Sequence, residues 1–236
     1  MPEEKQQTLL TQDKLTSHFA EAYRALRANI GFSGIDQPVR TVAVTSATSG
    51  EGKTTTVVNL GIIMAQAGPR VLIVDTDFRR PTLDEILGLR SNRQRPLNGL
   101  SNVIVGTARL DDVIVETQFD RLGVVPAGAM PPNPSELLGS QRMQSVIREL
   151  GERANFVLLD TPPCMVYADA FLIARLADGV LYVLRRGNQN KAAQRRIQKQ
   201  LQQAKVRMLG VVFNDVEVDE SVNTYNYYYA NGSKRR

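Results

Sequence analysis

Cysteine is almost missing from this chain. Its 236 residues include one, Cys164, so no disulfide framework can form within it and a reducing compartment is the expected home. Tryptophan is absent and histidine occurs once, as His18, which leaves no material for a Ser–His hydrolase site or a His-ligated metal centre. No apolar run approaches the ~20 residues that a membrane-crossing helix requires. The opening stretch MPEEKQQTLL is polar and has no secretory-signal core. Together these absences predict a cytoplasmic protein. Charge blocks of one sign are also scarce. The net charge is +5, and the densest basic groups are Arg185–Arg186, Lys191 to Lys199 and Lys234 to Arg236. They can be read as a nucleic-acid or membrane-facing surface, or more plainly as solvated helix faces and phosphate contacts. No nucleic-acid partner is expected.

The chain does have a regular alternation of short apolar runs and helical patterns. Residues 14–31 space Phe19, Tyr23, Leu26 and Ile30 three or four apart, which predicts a helix with Gly31 as its stop. Strands are expected at Val42–Thr45, Val71–Asp75, Leu122–Pro126, Phe156–Asp160, Val180–Leu184 and Leu209–Asn214, with helices near 53–67, 134–150, 168–177 and 189–204. Runs such as VLIV and FVLL are apolar throughout, as strands covered on both faces are. The expected fold is an open, doubly wound α/β sheet, mostly parallel, with helices on both faces as three layers. Its ligand belongs outside the carboxyl ends of the strands. The expected divisions are an N-terminal arm with its helix (1–38), a nucleotide-binding core (39–215) and a tail (216–236), all of one domain.

After the first strand comes Ala47-Thr48-Ser49-Gly50-Glu51-Gly52-Lys53-Thr54-Thr55, a phosphate-loop pattern with alanine in place of its first glycine. Gly50 and Gly52 permit close backbone approach to phosphate oxygens, and the helix start directs unpaired N–H groups at the anion. Residues Ser49, Gly50, Glu51, Gly52, Lys53, Thr54 and Thr55 are the expected phosphate cradle. Within it Lys53 reaches the β and γ phosphates and the Thr54 hydroxyl ligates Mg²⁺. Asp75 and Asp77 stand at the end of the second strand, and Asp160 ends the strand FVLLD. Three carboxylates beside a triphosphate repel it unless a divalent cation lies between, so Mg²⁺ follows from charge as well as from motif. No Asn-Lys-x-Asp tetrad is present, which favours ATP over GTP. Asn214, ending GVVFND, is placed to reach the base, although a turn-forming Asn-Asp pair explains it nearly as well.

These motifs resemble the bacterial tyrosine kinases of capsule and exopolysaccharide systems, relatives of the division-site and chromosome-partitioning ATPases. DTDFRRP is similar to their modified second Walker motif and LLDTPP to their Walker B. PAGAMPPNPSELLGS (126–140) resembles another of their stretches. Glu21, Arg24 and Arg27 match a helix motif that packs such subunits into a ring, although read alone they are a solvated stripe with weak intrahelical pairs. The lysine that partitioning ATPases carry at the start of their phosphate loop is absent. The resemblance spans roughly residues 18–229. It implies ATP with Mg²⁺, a homo-oligomeric ring, other protein substrates on tyrosine, and a membrane-embedded polysaccharide co-polymerase as activator, which would recruit the chain to the inner face of the membrane. It also implies Asp75 as base, with Asp77 and Asp160 on the metal side; by residue chemistry alone either Asp75 or Asp77 serves as base.

Four of the seven tyrosines, Tyr225, Tyr227, Tyr228 and Tyr229, fall within five positions. Their polar neighbours give them no apolar partner stripe, so a mobile substrate segment is the expectation, against an aromatic edge strand or interaction patch. The ten residues from Asp215 to Tyr225 could span about 33 Å, enough to reach a neighbouring active site in a ring. In the kinases that the chain resembles such a cluster is the autophosphorylation site, so the resemblance implies tyrosine autophosphorylation in trans, regulating polysaccharide synthesis. The competing readings are a partitioning-type ATPase switch and a nucleotide-bound scaffold. The first leaves the tyrosines unexplained, and the second has no need of Asp75, Asp77 and Asp160 together. Cys164, Tyr23, Tyr167 and Tyr182 are expected to be packing residues.

Overall fold

The computed structural model describes residues 9–35, 37–89, 98–187 and 191–216; the expected tyrosine cluster lies outside them. Among the described residues seven strands form one sheet in the order β3-β4-β2-β5-β1-β6-β7. They are β1 (Thr41–Ser46), β2 (Val71–Asp75), β3 (Val115–Glu116), β4 (Leu122–Val125), β5 (Phe156–Asp160), β6 (Gly179–Arg185) and β7 (Met208–Asn214). All neighbours run parallel except the β3–β4 pair. The six expected strands form within one residue at each end, and the sheet is mostly parallel as expected. Every residue of β1, β2 and β4 is buried, and all of β5 but its first. Continuous Val, Leu and Ile runs are stable in this position because helices cover both faces and leave no wet side to favour alternation.

Two apolar cores lie on the two sides of the sheet. One gathers Val42, Val44, Ile73 and Leu158 with α1 (His18–Ser33) and α2 (Lys53–Gln66). The other packs Leu72, Val74, Val157 and Leu159 against Leu100, Val103, Val146 and Leu150 of the opposite helices. α2 is buried nearly all round, from Thr56 through Ala65. That is why its sequence, TTTVVNLGIIMAQ, lacks a charged face.

Three expectations need correction. α1 begins at His18, where the Ser17 hydroxyl caps the Ala20 N–H at 3.2 Å, and it runs through Gly31 to Ser33. Gly31 does not stop it: a glycine weakens a helix by about 1 kcal/mol but keeps its N–H and helical torsions, and the C-cap falls on Gly34. The expected helix 134–150 is two, Pro134–Leu138 and Gln141–Arg153. Ser140 starts the second by accepting from Met143 N at 3.1 Å, a side-chain cap that ends one helix and opens the next. Strand β3 and the short helices Leu83–Ile86, Leu100–Val105 and Leu110–Val113 were not expected; two to six residues are too few to display a period. The other expected helices form as Asp169–Ala174 and Lys191–Gln203.

Candidate nucleotide site

The carboxyl ends of β1, β2 and β5 meet at one edge, and the residues that follow them build the site. Gly50 (φ +82°) and Gly52 (φ +92°) take the left-handed conformation that a side chain resists. The loop crest at Ser49 and Gly50 is exposed. Glu51 instead turns inward, where its Oε1 accepts from Thr48 N at 2.9 Å and Thr48 Oγ1 at 2.7 Å. Its carboxylate therefore holds the loop's curl. Asn214 Nδ2 donates to the Glu51 carbonyl at 2.9 Å, so the last strand is tied to the loop. A Cβ added at Gly52 would stand 2.0 Å from that Asn214 nitrogen.

Lys53 opens α2 and is buried, as is Glu51, while Thr54 and Thr55 are half-buried. Thr54 Oγ1 donates to Asp160 Oδ2 at 2.6 Å. The other Asp160 oxygen, Oδ1, is buried with no hydrogen-bond partner among the described residues. Burial pushes the Asp160 carboxyl up to about 6, against the opposing pull of the Thr54 hydroxyl and the Lys53 ammonium. Asp75 sits directly beside Asp160 in the β2–β5 ladder. Burial first, and the Asp160 charge second, hold its pKa well above the carboxylate range. Asp75 Oδ1 accepts from Asp77 N at 3.0 Å and Oδ2 from Leu83 N at 3.2 Å. Asp77 lies past the strand end; its Oδ1 accepts from Arg79 N at 3.1 Å and Arg80 N at 3.0 Å. The sequence places Asp75, Asp77, Asp160, Lys53 and Thr54 in one site, and the structure brings all five to one sheet edge.

Threonine hydroxyls lace the strand ends below this site. Thr76 donates to the Asp160 carbonyl through both N (2.9 Å) and Oγ1 (2.6 Å). Thr161 does the same to the Val44 carbonyl, at 3.2 and 2.9 Å. Thr45 Oγ1 reaches Pro162 O at 3.0 Å.

The donor set suits a divalent cation with a nucleotide. A buried carboxylate oxygen lacks a partner beside a threonine hydroxyl, and glycine amides form a cradle that a Cβ at Gly52 would disturb. Among the described residues no group of three or more His, Cys, Asp or Glu could hold a metal by itself.

The family model of the CobQ/CobB/MinD/ParA nucleotide-binding domain matches residues 42–231. A putative tyrosine-protein kinase, CapB of Staphylococcus aureus, is 35% identical over 94% of this chain and 94% of its own length. The tyrosine-protein kinase YwqD of Bacillus subtilis strain 168 is 32% identical over 94% and 92%. This chain belongs to the bacterial tyrosine-kinase family. The crystal structure of the chimerical protein CapA2B2 superposes on it with a TM-score of 0.84 at 33% identity, covering 90% of this chain and 91% of the other.

Arg24 pairs with Glu21 and also donates to the Leu15 carbonyl, and Arg27 donates to the Ile63 carbonyl at 3.2 Å. The stripe is thus anchored within its own chain. Cys164 is buried, and desolvation raises its thiol to about 11, which makes it the inert packing residue expected. Tyr23 and Tyr182 are buried too, whereas Tyr167 is half-buried beneath Arg79. A cavity of about 940 Å³ opens at the amino ends of the strands, lined by Arg27, Arg40, Met64, Arg70, Arg153 and Phe156. It lies at the opposite end of the sheet from the phosphate loop. Ser135 and Asp169, which touch Arg79, escaped the sequence reading; the one available signal was Ser135 inside the family-like stretch 126–140. No described helix is long and apolar enough to cross a membrane.

Proposed function

We propose that this chain is an ATP- and Mg²⁺-dependent protein-tyrosine kinase that phosphorylates its own C-terminal tyrosines in trans within an oligomeric ring, regulating capsular or exopolysaccharide synthesis. The observation that carries the nucleotide half is the Thr54–Asp160 contact at 2.6 Å with a second, unpartnered Asp160 oxygen at the mouth of the phosphate loop. Relatives named tyrosine-protein kinases support the choice of acceptor.

In this reading the amides of Gly50 to Thr54 hold the phosphates, and Lys53 neutralises charge that grows on the β–γ bridge as that bond breaks. Asp160 and Thr54, with Asp77, would hold Mg²⁺, whose role when bound is to offset phosphate charge. A tyrosine hydroxyl, pKa near 10, needs a base to attack at neutral pH. Asp75 takes its proton as the new phenolic O–P bond forms and ADP leaves. Asn214 is the proposed contact to the base; in the structure its amide donates to the Glu51 carbonyl, so it supports the loop as well.

Tyr225, Tyr227, Tyr228 and Tyr229 are the proposed acceptors. Each phosphate adds about −1.5 to −2 charges, and accumulated repulsion between tails would loosen the ring. Glu21, Arg24 and Arg27 are its proposed contacts. A membrane-embedded co-polymerase is the proposed activator, and it would bring residues 1–236 to the membrane. The arm (1–38), core (39–215) and tail (216–236) divide these tasks.

Mass spectrometry of the C-terminal peptide after incubation with ATP and Mg²⁺, with and without the activator's cytoplasmic segment, tests the proposal. Phosphate on Tyr225 to Tyr229 that disappears in Lys53→Ala is expected. ATP hydrolysis with an unmodified tail in every tube would instead indicate a partitioning-type switch.

A further inference from the structure

One buried carboxylate near the site has no role in the chemistry above. Asp169 opens the helix Asp169–Ala174 and is 1% exposed. A carboxylate so deeply buried needs partners, and both of its oxygens have them. Oδ2 accepts from Arg79 Nε at 3.0 Å and Oδ1 from the Ser135 hydroxyl. Ser135 Oγ in turn accepts from Arg79 Nη2 at 3.0 Å. The guanidinium carbon of Arg79 stands 4.8 Å from the centre of the Tyr167 ring. Three groups from two different segments, at 135 and at 167–169, therefore fix a single arginine.

That arginine is attached to the metal-side carboxylate. The Arg79 and Arg80 backbone N–H groups are the two donors to Asp77 Oδ1. A long side chain that is a third exposed would otherwise sample many rotamers, and the turn that presents Asp77 would move with it. Arginine suits the place because its planar fork holds two donors in fixed geometry while lying over an aromatic ring; lysine brings only a point charge to the ring.

We infer that Asp169 and Ser135 are positioning residues, acting through Arg79 to hold the Asp77 turn in its metal-binding geometry. The inference rests on the kinase reading above and deepens it. It differs from a plain structural ion pair in what it predicts. A structural pair would alter stability and the active fraction, whereas a positioning pair alters the metal dependence and turnover of every folded molecule.

The test uses the full chain with Asp169→Asn, Ser135→Ala and Arg79→Lys, reading fluorescent ATP-analogue binding with and without Mg²⁺ alongside turnover. Metal-free nucleotide affinity is expected within about threefold of wild type, while the Mg²⁺ concentration for half-saturation rises about tenfold. Turnover per nucleotide-binding site is expected to fall by about tenfold or more, as small misplacements near the chemistry do. Asp169→Asn added to Arg79→Lys should cost nothing further. Unchanged Mg²⁺ dependence and unchanged turnover per site in Asp169→Asn and Ser135→Ala, whatever their melting temperatures, would overturn the inference. A wild-type chain that hydrolyses ATP but leaves tyrosine unmodified would overturn the kinase reading alone. The same variants read through hydrolysis would still decide the positioning role.

Discussion

Replacing Gly52 by alanine tests the description of the phosphate loop most sharply, because two independent penalties converge there. The first is conformational. Gly52 has φ +92°, where an L side chain costs about 1–2 kcal/mol. The second is a collision, since the new Cβ would stand 2.0 Å from Asn214 Nδ2. The amide must swing away and give up its 2.9 Å bond to the Glu51 carbonyl, about 1 kcal/mol more. The sum is about 2–3 kcal/mol. For a chain of 236 residues that lowers Tm by about 5–10 °C. Calorimetry of Gly52→Ala, Asn214→Ala and the double variant separates the terms. Asn214→Ala alone should cost about 1 kcal/mol, and in its background Gly52→Ala should cost only the backbone term, a coupling of about 1 kcal/mol. In the Gly52→Ala background, removing Asn214 should therefore cost no further stability and restore none of the nucleotide affinity, because the amide at position 52 is still turned. If Gly52→Ala costs the same with Asn or Ala at 214, the contact between loop and last strand is wrong. A cost below about 0.5 kcal/mol would refute both terms.

Three other outcomes follow from contacts described above or beside them. Leu150, fully buried on the helix Gln141–Arg153, should cost about 2–5 kcal/mol as Leu150→Ala, seen as a lower urea midpoint with an unchanged slope. Asp178 Oδ2 accepts the Arg40 and Thr41 N–H groups, both at 2.8 Å, where β1 begins; Asp178→Ala should cost about 1–3 kcal/mol by leaving the Thr41 donor unpaired. Glu116 is bound by Arg70, whose hydrogen bond lowers its pKa. A lowered carboxyl stabilises the fold above its unfolded value of about 4.3 and loses that contribution as pH falls through the folded value. The pair is largely exposed, so Glu116→Gln should cost less than about 1 kcal/mol at pH 7. The gap from wild type should close below about pH 4 in denaturation series across pH.

The sheet was legible because its strands are continuous apolar runs that end in a polar signal, VLIV in Asp75 and FVLL in Asp160. Those two acids were readable as site residues for the same reason: the strand direction alone puts them at one edge. Gly31 misled because glycine is also tolerated inside a helix, and Ser140 was passed over because the apolar period continues across it. The Arg79 anchor was not legible. Its partners lie 56 and 90 residues away, and nothing local to Ser135 or Asp169 announces that they meet. The inward turn of Glu51 was hidden as well, since a glutamate between two glycines in a phosphate loop looks solvent-facing on paper.

The threonine lacing beneath the carboxylates bears on motion. Thr45, Thr76 and Thr161 are all buried and tie three strand ends to one another through hydroxyls as well as amides. A floor held in this way has little freedom to reorient its dipoles when charge shifts during reaction, so the reorganisation energy there is small. The amides of Thr76 and Thr161 should therefore exchange their hydrogens only on global opening. Whatever motion admits a substrate or releases a product therefore lies outside these strand ends, while the floor stays still.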